Sequence, residues 1–440
     1  MDFLKGDIRK LYWTYLKSSI LSALVMSIYS FIDTIAVGQS EGPTGTAAMA
    51  IINPLYGMMA FLGLFCGIGG SVLMSNAKAK GNEKEGNQYF TSTILLNILV
   101  IVVLWVVFLL FPDQLFTFFG ADETTLPKVK EYATLVIAFT PIFILPVTIA
   151  AFIRNDGAPG LAMAAVAIGG GLNIFGDWFF VFPMGMGMRG AATATVIGYC
   201  VQTGIILSYL FRKRCHLKFC RPAHLRKDFG RICSVGIPSG LPDLGNVVIT
   251  ILINNQLMRY SGSTALAVYG AVGTIMALFQ SMFSGVGQAV QPLISSNYAL
   301  KQRDRINEVM RLAGITVGGM SIVFFAVGEL FPKQITRIFC DATTEVLDMA
   351  PTVMRWFFPA FLFMGFNVLA IYYLQSVMQD KASLVVGLSR SMVVSGILLI
   401  VLPLFLGLIG VLIAIPLTEL LVFICTYVYM KKIQPKLYQN

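Results

Sequence analysis

Charge is scarce in this chain: Asp, Glu, Lys and Arg make up 12% of its 440 residues, against about 25% in a soluble domain. Histidine is scarcer. His216 and His224 are the whole complement, and both fall in one basic segment, which excludes a histidine metal site or catalytic triad within the apolar runs. No Gly-Lys dipeptide occurs anywhere, so there is no P-loop and no internal ATP motor. The seven cysteines, Cys66, Cys200, Cys215, Cys220, Cys233, Cys340 and Cys425, have neither disulfide-framework nor zinc spacing. Cys215 and Cys220 lie in a segment read below as cytoplasmic, where thiols stay reduced. A membrane-embedded enzyme would need His, Cys or Ser constellations inside the apolar runs, and none is found. The chain is expected not to be an enzyme and to need no cofactor.

What is abundant is apolar surface, at 56% of residues. Repeated runs of about 20 apolar residues read as transmembrane helices, and twelve fit between Leu16 and Tyr429. The expected fold is an all-α integral membrane protein. The first run follows a basic leader with no A-x-A-like site after it, so it reads as a retained helix. Net charge is +10, which in a soluble protein would point to nucleic acid. Here the basic residues gather in alternate loops, at Lys5 to Lys17, Lys78 to Lys84, Arg154, Arg212 to Arg231, Lys301 to Arg305, Lys381 and Lys431 to Lys436. That asymmetry makes those loops and both termini cytoplasmic, in a cell (plasma or inner) membrane. The charges then contact lipid headgroups, and no nucleic-acid partner is expected.

The chain also repeats itself at an offset of 220 residues. Leu110-Phe111-Pro112-x-Gln114 meets Leu330-Phe331-Pro332-x-Gln334, and the same register pairs Pro183 with Pro403, Gly187 with Gly407 and Gly190 with Gly410. An even number of helices separates the copies, so the two halves are parallel repeats, pseudo-symmetric lobes of six helices each. The lobes span 1–211 and 232–440, joined by the basic cytoplasmic linker 212–231.

Polar residues inside the spans are costly, roughly 2.5–3.5 kcal/mol for a charge at mid-helix, and so mark functional sites. Asp177 is the only acidic residue between Gly160 and Cys200, and Asn173 sits one helical turn before it on the same face. Asp33 and Thr195 fall at a similar depth in the first and sixth helices. In the repeat register Asp177 faces Ile397, Asn173 faces Val393, Thr195 faces Ile415 and Asp33 faces Ile253, or Ile251 at the offset of 218 that fits its flanking region better. A scaffold role shared by both halves does not explain that asymmetry. Asp33, Asn173, Asp177 and Thr195 are therefore candidates for a cation site, with H+ or Na+ as ligand; the bland alternative is a hydrogen-bond network gluing helices together. Asp243 and Glu419 are the acidic candidates of the second lobe, for substrate contact or structure, and the sequence names no partner for either. Gly185-x-Gly187-x-x-Gly190 matches a dinucleotide fingerprint but lacks the βαβ context its mechanism needs.

Several segments resemble the multidrug and toxic compound extrusion (MATE) transporters. They are Ile32-Asp33-Thr-Ile-Ala-Val37-Gly38, Arg154-x-Asp156-Gly157-x-Pro159, Asn173-x-x-x-Asp177, Gly187-x-x-Gly190-Ala191-Ala192-x-Ala194-Thr195, Gly236-Ile-Pro238-Ser-Gly240 and Gly407-x-x-Gly410. The resemblance covers essentially the whole chain. It implies a secondary antiporter of two six-helix lobes, exporting amphipathic, often cationic, organic compounds in exchange for H+ or Na+ by alternating access. A monomer is expected, though the sequence leaves the oligomeric state open. It also implies a cation-coupling role for Asp33, Asn173, Asp177 and Thr195, and an acidic site in the second lobe at Glu419 or Asp243. Two positions depart from the family pattern: no proline stands near Ser18 in the first helix, and Trp178 replaces the proline after Asp177. The competing readings are a lipid-linked saccharide flippase of the same superfamily, a major-facilitator carrier, and a receptor or scaffold without transport. The flippase would need cations inside the membrane, for which Arg355 and Arg390 are the candidates.

Overall fold

A computed structural model describes residues 7–79, 81–156, 158–212, 215–299, 301–339 and 343–437. Lys5, Lys80, Gly157, Lys213, Arg214 and Cys340 of the sequence reading lie outside them. The first half contains α1 (Ile8–Ala79), α2 (Glu83–Leu110), α3 (Pro112–Phe118), α4 (Leu126–Ala138), α5 (Thr140–Asn155), α6 (Pro159–Val181) and α7 (Gly187–Ser208). The second contains α8 (Leu225–Ala299), α9 (Arg303–Leu330), α10 (Pro332–Phe339), α11 (Thr344–Phe357), α12 (Phe361–Ser376), α13 (Asp380–Leu388) and α14 (Val394–Leu437).

Three of these helices are too long for one crossing, and each breaks at a glycine in the left-handed region: Gly42 in α1, Gly262 in α8 and Gly407 in α14. A side chain at such a φ would be strained, so glycine fixes where the chain turns. With α4 and α5 forming one span bent by 54°, the described helices supply the twelve transmembrane segments of the expected fold. The bend has a local cause. Pro141 has no N–H to give Ile137, four residues back. The freed Ile137 carbonyl instead accepts from the Trp105 indole and from the Thr140 hydroxyl, the latter at 2.8 Å. Large apolar side chains are exposed along the spans, among them Leu110 and Phe405, as suits helices whose outer face meets lipid rather than water.

The backbone carries the repeat more faithfully than the side chains do. Gly42 and Gly262, 220 residues apart, have φ 66° and 65° with ψ −154° and −159°. The helices α2 and α9 begin and end at the same offset, and both are capped by a phenylalanine, Phe111 or Phe331, in nearly the same conformation. Gly81 also has a left-handed counterpart, Lys301.

The chain packs as two compact units, Met1–Ala47 with Leu252–Asn440, and Ala48–Ile251. These units describe which segments pack together. Within Ala48–Ile251 the basic linker is tied down. Its Lys218 and Cys220 amides donate to Asn87 Oδ1 and Thr91 Oγ1 of α2, at 3.2 and 2.9 Å. The His216 amide donates to Asp156 at 2.9 Å, as does the Tyr209 hydroxyl. Phe219, itself exposed, lies with its ring centroid 5.1 Å from that of Phe90, which packs in a buried core with Phe152.

Candidate functional site

Small residues bring α6 and α7 together. A Cβ built on Gly198 would stand 2.7 Å from the Gly169 carbonyl oxygen and 3.1 Å from Asn173 Cβ, and one on Gly176 would stand 2.8 Å from Ala194 Cβ. Backbones this close let short polar side chains meet across the interface, the packing mode of membrane helices. Asn173 Nδ2 donates to Thr195 Oγ1 at 3.1 Å and, along its own helix, to Asp177 Oδ1 at 3.5 Å. Asp177 is fully buried, and Asn173 and Thr195 are 4% exposed. Trp178, which stands where the resemblance expects a proline, is 56% exposed.

The network extends to two tyrosines that sequence reasoning missed. The Tyr132 hydroxyl of α4 lies 3.3 Å from Thr195 Oγ1, and Tyr56 OH lies 3.0 Å from Tyr132 OH. The chain of groups Tyr56, Tyr132, Thr195, Asn173, Asp177 is continuous and rich in oxygen. Among the described residues nothing donates to Asn173 Oδ1, so a buried acceptor remains open in its midst. Oxygen donors with a single carboxylate suit a proton or a hard cation. A sequence signal for Tyr132 existed: a phenol within a span needs a hydroxyl partner.

Asp33 belongs to the other compact unit, where it is buried, 6% exposed, beside Thr34, whose hydroxyl accepts from Thr274 at 3.3 Å. The arm of α1 that carries it runs from Ile8 to its first break at Gly42, with no proline hinge. Asp243 is exposed on α8 and has no hydrogen-bond or ion-pair partner among the described residues.

Glu419 corrects the expectation that it has no nameable partner. Arg390 Nε lies 3.0 and 2.9 Å from its two carboxylate oxygens and Nη2 lies 2.7 Å from Oε1. Asn367 Nδ2 donates to Oε2 at 2.7 Å. Arg390 sits in a π-helical turn, Ser389–Val393, and its side chain is 11% exposed. The other intramembrane candidate, Arg355, turns outward with its side chain 70% exposed, 3.7 Å from Glu329.

The family model MatE matches residues 18–179 and 238–402. The multidrug export protein MepA of Staphylococcus aureus (strain MRSA252) is 22% identical over 415 residues, covering 93% of this chain and 90% of its own. MepA of Staphylococcus saprophyticus is 23% identical, covering 89% and 86%. Among solved structures, an inward-facing multidrug resistance MATE family transporter superposes with a TM-score of 0.83 at 21% identity, covering 94% of this chain and 96% of that one. The MATE multidrug transporter DinF-BH in complex with R6G gives 0.76 at 27% identity and covers both chains completely. The paired glycines, the twelve spans and a family match over most of the length lead to one conclusion: the chain belongs to the MATE family of membrane transporters.

Proposed function

We propose that this protein is a secondary antiporter that exports amphipathic organic cations in exchange for H+ or Na+, with Asp177 as the residue that takes up the coupling ion. The observation that carries the reading is the buried Asn173, Asp177, Thr195 cluster, with its open Asn173 acceptor. Relatives that align over most of their length are named multidrug export proteins, which supports the export direction and a small-molecule substrate. A cation entering beside Asp177 neutralises the carboxylate and draws on Asn173 Oδ1, Thr195 and Tyr132. Those contacts tie α6 to α7 and α4, so uptake changes how the three helices pack. The ion shifts the conformational equilibrium only by its difference in affinity for the two states. Asp33 joins the proposal through the resemblance and through its burial in its own unit. The protein works as a monomer in the cell membrane with both termini in the cytoplasm.

The test is transport of a fluorescent cationic dye in proteoliposomes with proton and sodium gradients imposed separately. One gradient drives efflux in the wild type, and Asp177→Asn abolishes that dependence. Dye export by Asp177→Asn at the wild-type rate would overturn the assignment.

A further inference from the structure

The coupling reading gives no task to Arg390, Glu419 and Asn367, which are joined by four side-chain hydrogen bonds. We propose that Arg390 is a tethered cation. Its guanidinium fills the place beside Glu419 that a proton or Na+ would otherwise take, so that ion exchange is confined to the cluster around Asp177. The inference rests on the proposed antiport for its consequence, though not for its geometry.

Four observations support it. Each of the four hydrogen bonds that Arg390 and the Asn367 amide make to the side chain of Glu419 is one that the carboxylate accepts. Both oxygens are therefore engaged as acceptors, which leaves a proton or metal ion no room without displacing a donor. Secondly, the carboxylate and its amide partner are buried: Glu419 is 4% and Asn367 1% exposed. A guanidinium is permanently charged, so this cation does not leave with pH as a lysine's could. Thirdly, the π-helical turn Ser389–Val393 carries Arg390, and such turns collect at functional sites. The neighbouring Ser391 and Ser395 hydroxyls and Asn367 Oδ1 are buried without a partner among the described residues. The lining thus holds more oxygen than the ion pair uses. Finally, α11 and α12 both pack on α14, but the charged groups of α11 are engaged elsewhere. Arg355 faces Glu329, Glu345 accepts from Thr264 and Asp348 pairs with Lys333.

The repeat gives the arrangement its meaning. At the 220-residue offset Arg390 and Glu419 align with Gly170 and Tyr199, about one turn from Asn173 on α6 and Thr195 on α7. The same helix pair carries a polar cluster in each half, and in the second half Arg390 is part of it.

Carbodiimides react with carboxyl groups that are protonated in apolar surroundings, which gives a readout independent of transport. Full-length protein in nanodiscs is treated with dicyclohexylcarbodiimide at neutral pH, and labelling is located by peptide mass spectrometry. Glu419 stays unlabelled in the wild type. Removing an opposite charge at this range changes a carboxyl's proton affinity about tenfold or more, so in Arg390→Gln its labelling rises at least about tenfold and added Na+ protects it. Equal labelling of Glu419 in the two proteins overturns the proposal. If Arg390→Gln does not fold, the exchanged pair R390E/E419R decides: an introduced carboxylate as inert as the original supports the tethered cation, and a reactive one overturns it. Labelling of Asp177 in the same digest judges the proposed coupling site separately, because Glu419 alone decides the role of Arg390.

Discussion

Replacing Gly198 with alanine tests whether the α6–α7 approach builds the Asp177 cluster. The added Cβ would lie 2.7 Å from the Gly169 carbonyl oxygen, and the obstacle is backbone, which cannot swing aside as a side-chain tip can. Reaching ordinary contact near 3.4 Å requires the helices to separate by about 0.7 Å. The Asn173–Thr195 hydrogen bond, now 3.1 Å, would stretch to about 3.8 Å, beyond hydrogen-bonding range. Overpacking costs about 1–3 kcal/mol and the lost bond about 1 kcal/mol more. Gly204→Ala on the same helix is the control, because its Cβ would meet nothing within 4 Å; it should stabilise by about 0.5–1 kcal/mol. The assay combines thermal unfolding of purified protein with gradient-driven dye transport. Gly198→Ala is expected to melt lower and to lose ion dependence, while Gly204→Ala does neither. A Gly198→Ala protein with wild-type melting and coupling would refute the claim that this close approach holds the cluster together.

Further outcomes follow from other parts of the structure. Arg390→Gln, which strands a buried carboxylate, should cost about 3–5 kcal/mol, whereas R390Q/E419Q should melt close to wild type; melting temperatures of both variants check this. Asp122, in the turn before α4, accepts from the backbone amides and hydroxyls of Thr124 and Thr125 at 2.7–3.1 Å. Burial alone would raise its carboxyl, but these bonds outweigh that and hold it below its ordinary value of 3.8. The stability it contributes is therefore present above that value and is lost as pH falls through the folded one. Asp122→Ala should cost about 1 kcal/mol at neutral pH, as for a lost helix-capping residue, and the difference from wild type should vanish in acid, as read by melting against pH.

Much of the architecture was legible in the chain itself, for reasons that are local. The lipid-facing character of α2 or α14 is a matter of composition over about 20 residues. The turn at Gly407 lies in a register that already matched Gly187, and Gly42 and Gly262 keep the same offset because a left-handed turn tolerates few other residues. Asp177 and Asn173 could be placed on one face because their spacing is one helical turn. Tyr132 escaped because a tyrosine in an apolar run looks like packing until its hydroxyl is seen against Thr195.

By itself, then, the sequence determined that the chain spans the membrane, that it repeats, and that certain carboxylates must be satisfied inside it. Those conclusions need only side-chain hydropathy and the helix period. The tertiary structure decided with whom each is satisfied: Asp177 with Asn173 in a network through Thr195 to Tyr132, Glu419 with Arg390 and Asn367, and Asp243 with none among the described residues. Partners 22 to 63 residues apart, in different helices, depend on how each helix is rotated about its axis and how closely the backbones approach. Packing of the whole chain sets both quantities, and no local pattern encodes them.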